Sequence, residues 1–276
     1  MAGFDIRELM NDIEEAPGKV WFWDLERTVI DADRCVQCGV CVAACPTDSI
    51  GIGEDDLPML VKMCTGCSLC WDFCPRGGLR HEATWKLGSA RQHKDNNSGA
   101  EPGFKIVGNG EARSVEGIGH VYESYTARVD PAIGGAQDGG VVSALLVSLL
   151  EAGEIDGALV ARESESEPWK GEPYLARTPK EVRGCAGSFY NQTLALAHVD
   201  FEGYDLPPNP RIAVVGTPCE IEGIKAMQAR PWTWGSSRVE AITLTIALLC
   251  TKSFNYEKLM LEEIRDKRKV NLDQVG

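Results

Sequence analysis

The sequence predicts a small cysteine-rich α+β unit followed by a larger α/β domain. Three observations support this fold class. Eight of the eleven cysteines stand between Cys35 and Cys74. The stretch Lys86–Gly117 is rich in Gly, Ser and Asn and lacks periodicity, which is typical of a linker. From Ile118 onward strand-like and helical patterns alternate, which favours a sheet that is at least partly parallel.

These patterns divide the chain into three parts. Residues 1–85 form the cysteine-rich unit with an N-terminal extension, residues 86–117 the linker, and residues 118–276 the α/β domain. The extension has a short amphipathic stretch and then Val20–Ile30, whose apolar and aromatic residues predict a strand. The chain stops at Gly276 directly after a helical pattern, so we expect the α/β domain to be incomplete at its C-terminus.

The first half of the α/β domain begins with a helix. Asp138 precedes the dense apolar run GGVVSALLVSLLEA and is expected to cap this helix. Gly153 is expected to end it. The segment Ile155–Arg162 then predicts a strand.

The second half repeats the alternation. Arg211–Gly216 predicts a short apolar strand that leads directly into a helix. Thr217 and Glu220 have the spacing of a capping box, with a proline at the first helical position. Ala241–Cys250 predicts a buried strand, and Asn255–Lys269 predicts an amphipathic helix with a basic C-terminal end.

Charge and composition exclude several classes of protein. A net charge of −13 argues against a nucleic acid partner, because phosphate binding needs a positive surface. The longest apolar runs, such as Ile246–Cys250, are too short to cross a bilayer. The acidic N-terminus lacks the basic and apolar parts of a signal peptide. Many cysteines without an export signal indicate metal ligation, so we expect a cytoplasmic protein without membrane insertion.

One cysteine motif occurs twice. CVQCGVCVAACP begins at Cys35 and CTGCSLCWDFCP at Cys64. Each has the form C-x2-C-x2-C-x3-C-P, the run of bacterial ferredoxins that carry two [4Fe–4S] clusters. In that run three thiolates of one loop bind one cubane and the fourth binds the other. The predicted ligands are Cys35, Cys38, Cys41 and Cys74 for one cluster, and Cys64, Cys67, Cys70 and Cys45 for the other.

A structural zinc unit is the alternative, because paired CxxC motifs also bind Zn²⁺ through four thiolates. Zinc gains nothing from a threefold C-x2-C-x2-C repeat, and two complete copies, each followed by proline, favour clusters. Two clusters with interleaved ligands lie close together. The unit is therefore predicted to relay single electrons.

Four segments of the larger domain resemble the coenzyme F420 hydrogenase/dehydrogenase beta-subunit family. They are Gln137–Val160, Ala186–Tyr190, Val214–Gln228 and Leu249–Tyr256. The resemblance runs from about Gly119 to the end, and the whole chain looks like members with a fused two-cluster ferredoxin domain. It implies a flavoprotein in which FAD exchanges hydride with the deazaflavin coenzyme F420, while iron–sulfur clusters carry single electrons onward.

Two backbone openings suit a flavin. The N–H groups of Asp138–Gly140 at a helix start fit a diphosphate, and Gly216 with Thr217 forms a strand-to-helix turn where α/β proteins bind ligands. Two glycines before a helix are, however, more often a turn, and a helix cap needs no ligand. With the resemblance, the residues expected at the flavin are Asp138, Gly139, Gly140, Ser143, Ser188, Gly216, Thr217 and Pro218.

Further positions are interpreted through the same resemblance. Cys219 and Cys250 match positions that ligate a further cluster in some members, where a C-terminal cysteine pair completes the set. The alternative is two buried thiols that pack as small apolar residues, which is also how Cys185 is interpreted. Phe189 stands where a basic residue is frequent, and Glu220 where glutamine is frequent.

The sequence thus favours an iron–sulfur flavoprotein oxidoreductase. It would pass electrons between reduced F420, by hydride transfer to FAD, and a redox partner protein or complex through two [4Fe–4S] clusters. No side chain is expected to act as a catalyst, because the cofactors carry the chemistry. The alternatives are a non-catalytic electron-transfer subunit of a larger complex and a related reductase with a different hydride partner.

Overall fold

The computed structural model describes residues 20–77, 113–115, 119–121, 125–167, 169–229, 237–250 and 257–274. The amphipathic stretch expected at the N-terminus lies outside the described residues, as does most of the expected linker. Within the described ranges, no helix is both long enough and apolar enough to span a bilayer.

The segment Val20–Ile30 is helical, so the strand predicted there is wrong. Helix α1 (Phe22–Leu25) continues into a π-helical turn, Glu26–Ile30. An alternating strand would place Trp23 on the same face as the residues two positions before and after it, yet Trp23 is half exposed. The buried side chains are three and four residues apart, as on one helical face: Phe22, Leu25 and Val29.

The two cysteine motifs share one backbone conformation. The residue before the second cysteine has a positive φ in both copies, 52° at Gln37 and 64° at Gly66. The residue after that cysteine does too, 74° at Gly39 and 69° at Ser68. These left-handed residues turn each loop around a common centre, so its cysteines face inward.

Short elements complete the cysteine-rich unit. Helix α2 (Val40–Ala43) carries the third cysteine of the first motif, and α3 (Leu69–Asp72) that of the second. Between them lies an antiparallel hairpin of β1 (Ile50–Ile52) and β2 (Pro58–Leu60).

A four-stranded mixed sheet forms the centre of the larger domain. A separate antiparallel pair precedes it. The described strands of the larger domain are β3 (Arg113–Val115), β4 (Gly119–Val121), β5 (Gly157–Glu163), β6 (Gly171–Ala176), β7 (Ile212–Gly216) and β8 (Ile242–Ala247). Strands β3 and β4 form the separate pair, and the sheet order is β6–β5–β7–β8. Strands β5, β7 and β8 are parallel, and β6 pairs antiparallel with β5, which confirms the predicted partly parallel sheet.

Helices connect and cover these strands. The helices expected after Asp138, after Thr217 and near the end of the chain are all confirmed. Among the described residues, the α-helices of this domain are α4 (Val141–Glu151), α5 (Pro179–Gly184), α6 (Pro218–Ala229) and α7 (Ser237–Glu240). The same ranges also contain the π-helical Glu257–Lys267 and the 3₁₀ turns Ala195–His198 and Leu272–Gln274.

Two details differ from the sequence prediction. Asp138 does not cap α4, because the helix begins later, after Gly140 at φ 70°, and no side chain caps it. Strand β8 is predicted to be buried but is largely half-exposed, because among the described strands it stands at the edge of the sheet and pairs only with β7. Gly153 follows the end of α4 with φ 66°, as expected of a helix stop.

Alternate residues of the central strands feed two cores. One face packs against α4 and α5, through Ala158, Val160, Ala213, Leu146, Val147 and Val182. The other face packs against α6 and, on the same side, against the cysteine-rich unit. This second core comprises, among others, Leu159, Ile212, Val214, Ile224, Met227, Val40, Leu69 and Phe73. The cysteine-rich unit therefore covers one face of the sheet.

Candidate functional site

The first set of cysteines converges, although its fourth member is remote in sequence. Burial raises the pKa of Cys41 well above its ordinary value, and the neighbouring charges of Cys74 and Cys35 raise that pKa further. Burial also raises the pKa of Cys38 well above the usual range, followed by the charges of Cys219 and Cys74. The structure thus brings Cys74 beside the three thiols of the first loop.

The second set lines a small cavity inside the cysteine-rich unit. The hydroxyl-bearing residues Thr47, Ser49 and Ser68 line the same cavity. Burial raises the pKa of Cys70 to about 12, and the charges of the other three thiols add to that rise. The four lining thiols are Cys45, Cys64, Cys67 and Cys70.

The donor chemistry of both sets fits [4Fe–4S] clusters. Each set offers four free thiols, the number that a cubane binds. The backbone N–H of Gln37 donates to Cys35 Sγ at 3.4 Å, and that of Gly66 to Cys64 Sγ at 3.3 Å. Such bonds favour a charged thiolate. Within the described ranges, no three His, Cys, Asp or Glu side chains surround a position for a single metal ion.

A cavity of about 300 Å³ lies at the carboxyl ends of the parallel strands. Val160 and Ala161 of β5, Val215 of β7 and Leu248 after β8 form part of its wall, and the first turn of α4 from Val141 forms another part. Ligands of open α/β sheets bind at this edge, and the volume is in the range of small-molecule sites.

Most residues expected at the flavin meet at this cavity. Gly139 does not line the cavity. Its φ is 91°, and a Cβ there would lie 2.8 Å from the carbonyl oxygen of Ala127, so both the backbone conformation and the packing require glycine. Pro218 does not line it either and begins α6. The six expected residues that do line the cavity are Asp138, Gly140, Ser143, Ser188, Gly216 and Thr217.

Several residues that line the cavity were not predicted from the sequence. The buried Gln192 donates through its amide to Thr217 Oγ1 at 3.0 Å. Cys185, interpreted as a structural thiol, lines the cavity, and burial raises its pKa to about 11. Phe189 also lines it, with its ring against Gly171, where a Cβ would come within 2.6 Å. Gln192 and Phe189 belong to irregular segments, which carry no periodic signal.

Cys219 connects this cavity to the first cysteine set. Thr217, in the cavity wall, places Oγ1 3.1 Å from Cys219 Sγ. Burial raises the pKa of Cys219 to about 11, and Cys250 is among the charges that raise it. On the other side, the Cys219 thiolate acts on Cys38. Cys219 and Cys250 supply two of the four thiolates that a further cubane would need.

Glu220 is a buried carboxylate in the wall of the cavity, 2% exposed. Its Oε2 accepts from the Thr217 backbone N–H at 2.8 Å and from the Thr217 hydroxyl at 3.1 Å. Half of the predicted capping box is therefore present, namely the bond from the Thr217 backbone N–H to the Glu220 carboxylate. In place of the other half, the Thr217 hydroxyl donates to the carboxylate and the Glu220 N–H donates to the Thr217 carbonyl. Burial raises the pKa of Glu220, and the Thr217 donors oppose that rise. A Cβ at Gly216 would lie 2.7 Å from Oε2, so this glycine leaves room for the carboxylate.

Family comparison matches both parts of the chain. A family model for the coenzyme F420 hydrogenase/dehydrogenase beta subunit N-term matches residues 124–199, and the model for its C terminus matches residues 209–276. A 4Fe-4S dicluster domain matches residues 28–80.

Curated relatives cover nearly the whole chain. A subunit of the F(420)H(2) dehydrogenase of Methanosarcina mazei is 28% identical, over 90% of this chain and 62% of its own length. The coenzyme F420-dependent sulfite reductase of Methanocaldococcus jannaschii is also 28% identical, over 92% of this chain and 36% of its own. The chain therefore spans less than two thirds of the length of these relatives.

A solved structure, the F420-reducing [NiFe] hydrogenase complex from Methanosarcina barkeri, contains a chain 27% identical in sequence. The match covers 51% of this chain and 47% of that chain, with a TM-score of 0.45. The family models identify the family, because they match both halves of the larger domain and the cysteine-rich unit before it. This chain belongs to the coenzyme F420 hydrogenase/dehydrogenase beta-subunit family and carries an N-terminal 4Fe-4S dicluster domain.

Proposed function

We propose that this protein is an iron–sulfur flavoprotein oxidoreductase. It exchanges electrons between reduced coenzyme F420 and a protein acceptor, through FAD in the cavity and two [4Fe–4S] clusters on the eight cysteines. The observation that carries the proposal is that the cavity lies close to the first cysteine set. Thr217 in the cavity wall contacts Cys219, and Cys219 lies near Cys38 of the first set. Two relatives named for F420-dependent reactions, a dehydrogenase subunit and a sulfite reductase, support it.

The chain's own residues would bind and orient the flavin. Backbone N–H groups at the start of α4, near Gly140, suit a diphosphate. Gln192 and Glu220 both bond to Thr217, so the turn after β7 is held in place before a ligand arrives. A flavin converts between hydride and single-electron transfer. A turn held in one geometry would position the flavin relative to the first cysteine set.

We also propose a cytoplasmic location, because cysteines arranged in cluster-binding motifs are typical of a reducing compartment. Dividing the chain into residues 1–85, 86–117 and 118–276 remains our proposal for its domain organisation.

The first experiment measures iron, sulfide and released flavin in anaerobically purified protein. The proposal expects about eight irons and about one FAD per chain, for two cubanes and one flavin. Reduced F420 should then bleach the cluster absorbance. Eight irons without flavin would instead support the non-catalytic electron-transfer subunit.

A matched pair of variants on α4 locates the flavin. Ser143 lines the cavity, whereas Ser148 is exposed on the same helix. Ser143→Phe should fill the cavity and lower bound FAD at least tenfold with iron unchanged, and Ser148→Phe should retain both. Equal flavin content in the two variants would place the flavin elsewhere.

A second pair tests the cluster ligands. Cys74→Ser should remove about four irons, because the first set loses its fourth thiolate. Cys185→Ser, outside both cysteine sets, should keep about eight. Full iron in Cys74→Ser would contradict the assignment.

A further inference from the structure

The hairpin beside the second cysteine set presents an apolar stripe on the surface of the described structure. Met59, Val61 and Met63 are 46%, 55% and 81% exposed. Met59 and Val61 lie on one face of the hairpin, and Met63 follows after a bend at Val61 and Lys62. Cys64 follows the stripe directly and lines the cavity of the second set. We refer to these three residues as the methionine stripe.

The facing strand leaves this stripe uncovered. A Cβ at Gly51 would lie 2.8 Å from Val61 Cγ1, and one at Gly53 would lie 3.3 Å from the Met59 sulfur. The Val61 and Met59 side chains therefore lie over glycines on one face of the hairpin, and Asp55 Oδ1 lies beside them, 2.8 Å from the Cβ position of Gly53. Exposed apolar patches of this kind mark interaction sites, and methionine adapts to varied partners.

Acidic residues border the stripe. Glu54 and Asp55 are exposed in the turn between β1 and β2, and the whole chain has a net charge of −13. Lys62, which lies between Val61 and Met63, is exposed and positively charged. An acidic border selects a partner with basic residues around its contact area and speeds their encounter.

We propose that the methionine stripe docks a one-electron redox protein whose contact surface is apolar at its centre and bordered by Lys and Arg. An electron would pass from the cluster held by the second cysteine set, when reduced, to the oxidised partner, and no bond would form or break. The proposal rests on the proposed function in one respect: it requires the clusters. It requires neither flavin nor F420.

Stopped-flow reduction of ferric cytochrome c, a basic haem protein, tests the surface. The holoprotein is reduced with dithionite, freed of excess reductant by gel filtration, and mixed with the cytochrome at low salt. Val61→Asn, which removes the apolar contact without adding charge, should slow the second-order rate about tenfold, and Met63→Gln, which keeps the side-chain length, should slow it several-fold. Glu54→Lys should slow it at low salt, with the difference fading at high salt.

Val270→Asn is the matched control, because Val270 is 39% exposed in the larger domain and receives the same substitution. It should remain within twofold of the wild type, with iron content unchanged in every variant. Wild-type rates for Val61→Asn and Met63→Gln would overturn the proposal. A dimer of this chain that Val61→Asn dissociates would also overturn it, because the stripe would then bind a second copy. Protein purified without flavin can still be tested in this way, because the test requires only the clusters. Failure of the flavin proposal is therefore distinguishable from failure of the docking proposal.

Discussion

The close approach of Gly223 to Val40 predicts a measurable coupling between the two parts of the chain. Gly223 lies on α6, and Val40 begins α2 in the cysteine-rich unit. A Cβ at residue 223 would lie 2.3 Å from Val40 Cγ2 and 3.2 Å from Cγ1, where contacts under 3.0 Å force a shift. Gly223→Ala should therefore push the first cysteine loop away from the sheet.

Two opposing effects set the magnitude. Alanine gains about 1 kcal/mol over glycine in a helix, and overpacking a core costs about 1–3 kcal/mol. Val40 is fully buried, so Val40→Ala should cost about 2 kcal/mol in lost burial and cavity formation. The methyl group that Gly223→Ala adds fits the space that Val40→Ala vacates. The double variant should thus be about 1–2 kcal/mol more stable than the sum of the single effects predicts.

Anaerobic guanidinium unfolding of the holoprotein, followed by tryptophan fluorescence, measures this cycle. Gly184→Ala is the control, because Gly184 is also helical and a Cβ there meets nothing within 4 Å. It should show the gain in helix propensity alone. Additivity within about 0.5 kcal/mol in the Gly223/Val40 cycle would refute the predicted contact between α6 and the cysteine-rich unit.

Three further predictions concern the larger domain. The Cys185 thiol has a pKa raised by burial to about 11, so its thiolate fraction at pH 8 is about 10⁻³; iodoacetamide should modify it slowly, and FAD should protect it, as peptide mapping by mass spectrometry would show. Thr178→Ala removes the cap of α5, where Thr178 Oγ1 accepts from the Glu181 N–H, and should cost about 1 kcal/mol in urea unfolding, whereas Thr178→Ser should retain most of the stability. Asp156 has a pKa lowered chiefly by hydrogen bonds from Arg211, so its stabilisation is present above about pH 4 and lost as pH falls through the lowered pKa; Asp156→Asn should destabilise by up to about 1 kcal/mol at pH 7, and an equal or larger effect well below pH 4 would contradict this.

The local parts of the fold are predictable because their signals are local. The helix after Gly140, the strands Gly157–Glu163 and Ile212–Gly216, and the helix after Thr217 all follow from periodicity and end signals. Val20–Ile30 gives a wrong strand prediction, because its aromatic residues favour strands while its buried positions follow a helical period.

The candidate site is predictable in part. Asp138 and Thr217 belong to turns with recognisable chemistry and line the cavity as expected. Gln192, Phe189 and Cys185 line the same cavity but give no signal of a ligand site. Their positions depend on how loops remote in sequence pack around the sheet, which short-range spacing does not encode.

The sequence by itself determined the two cysteine loops, because the spacing of ligands within about ten residues dictates the backbone turn that can hold a cluster. Residues with positive φ at equivalent places in both loops follow from that requirement. Tertiary structure alone decided what the loops face. Val40 and Leu69 share a core with Ile212 and Val214 of the sheet, so the predicted separate units bury one common apolar surface. That burial sets Cys38 beside Cys219, which lie far apart in the sequence, because packing free energy depends on complementary surfaces rather than on position along the chain.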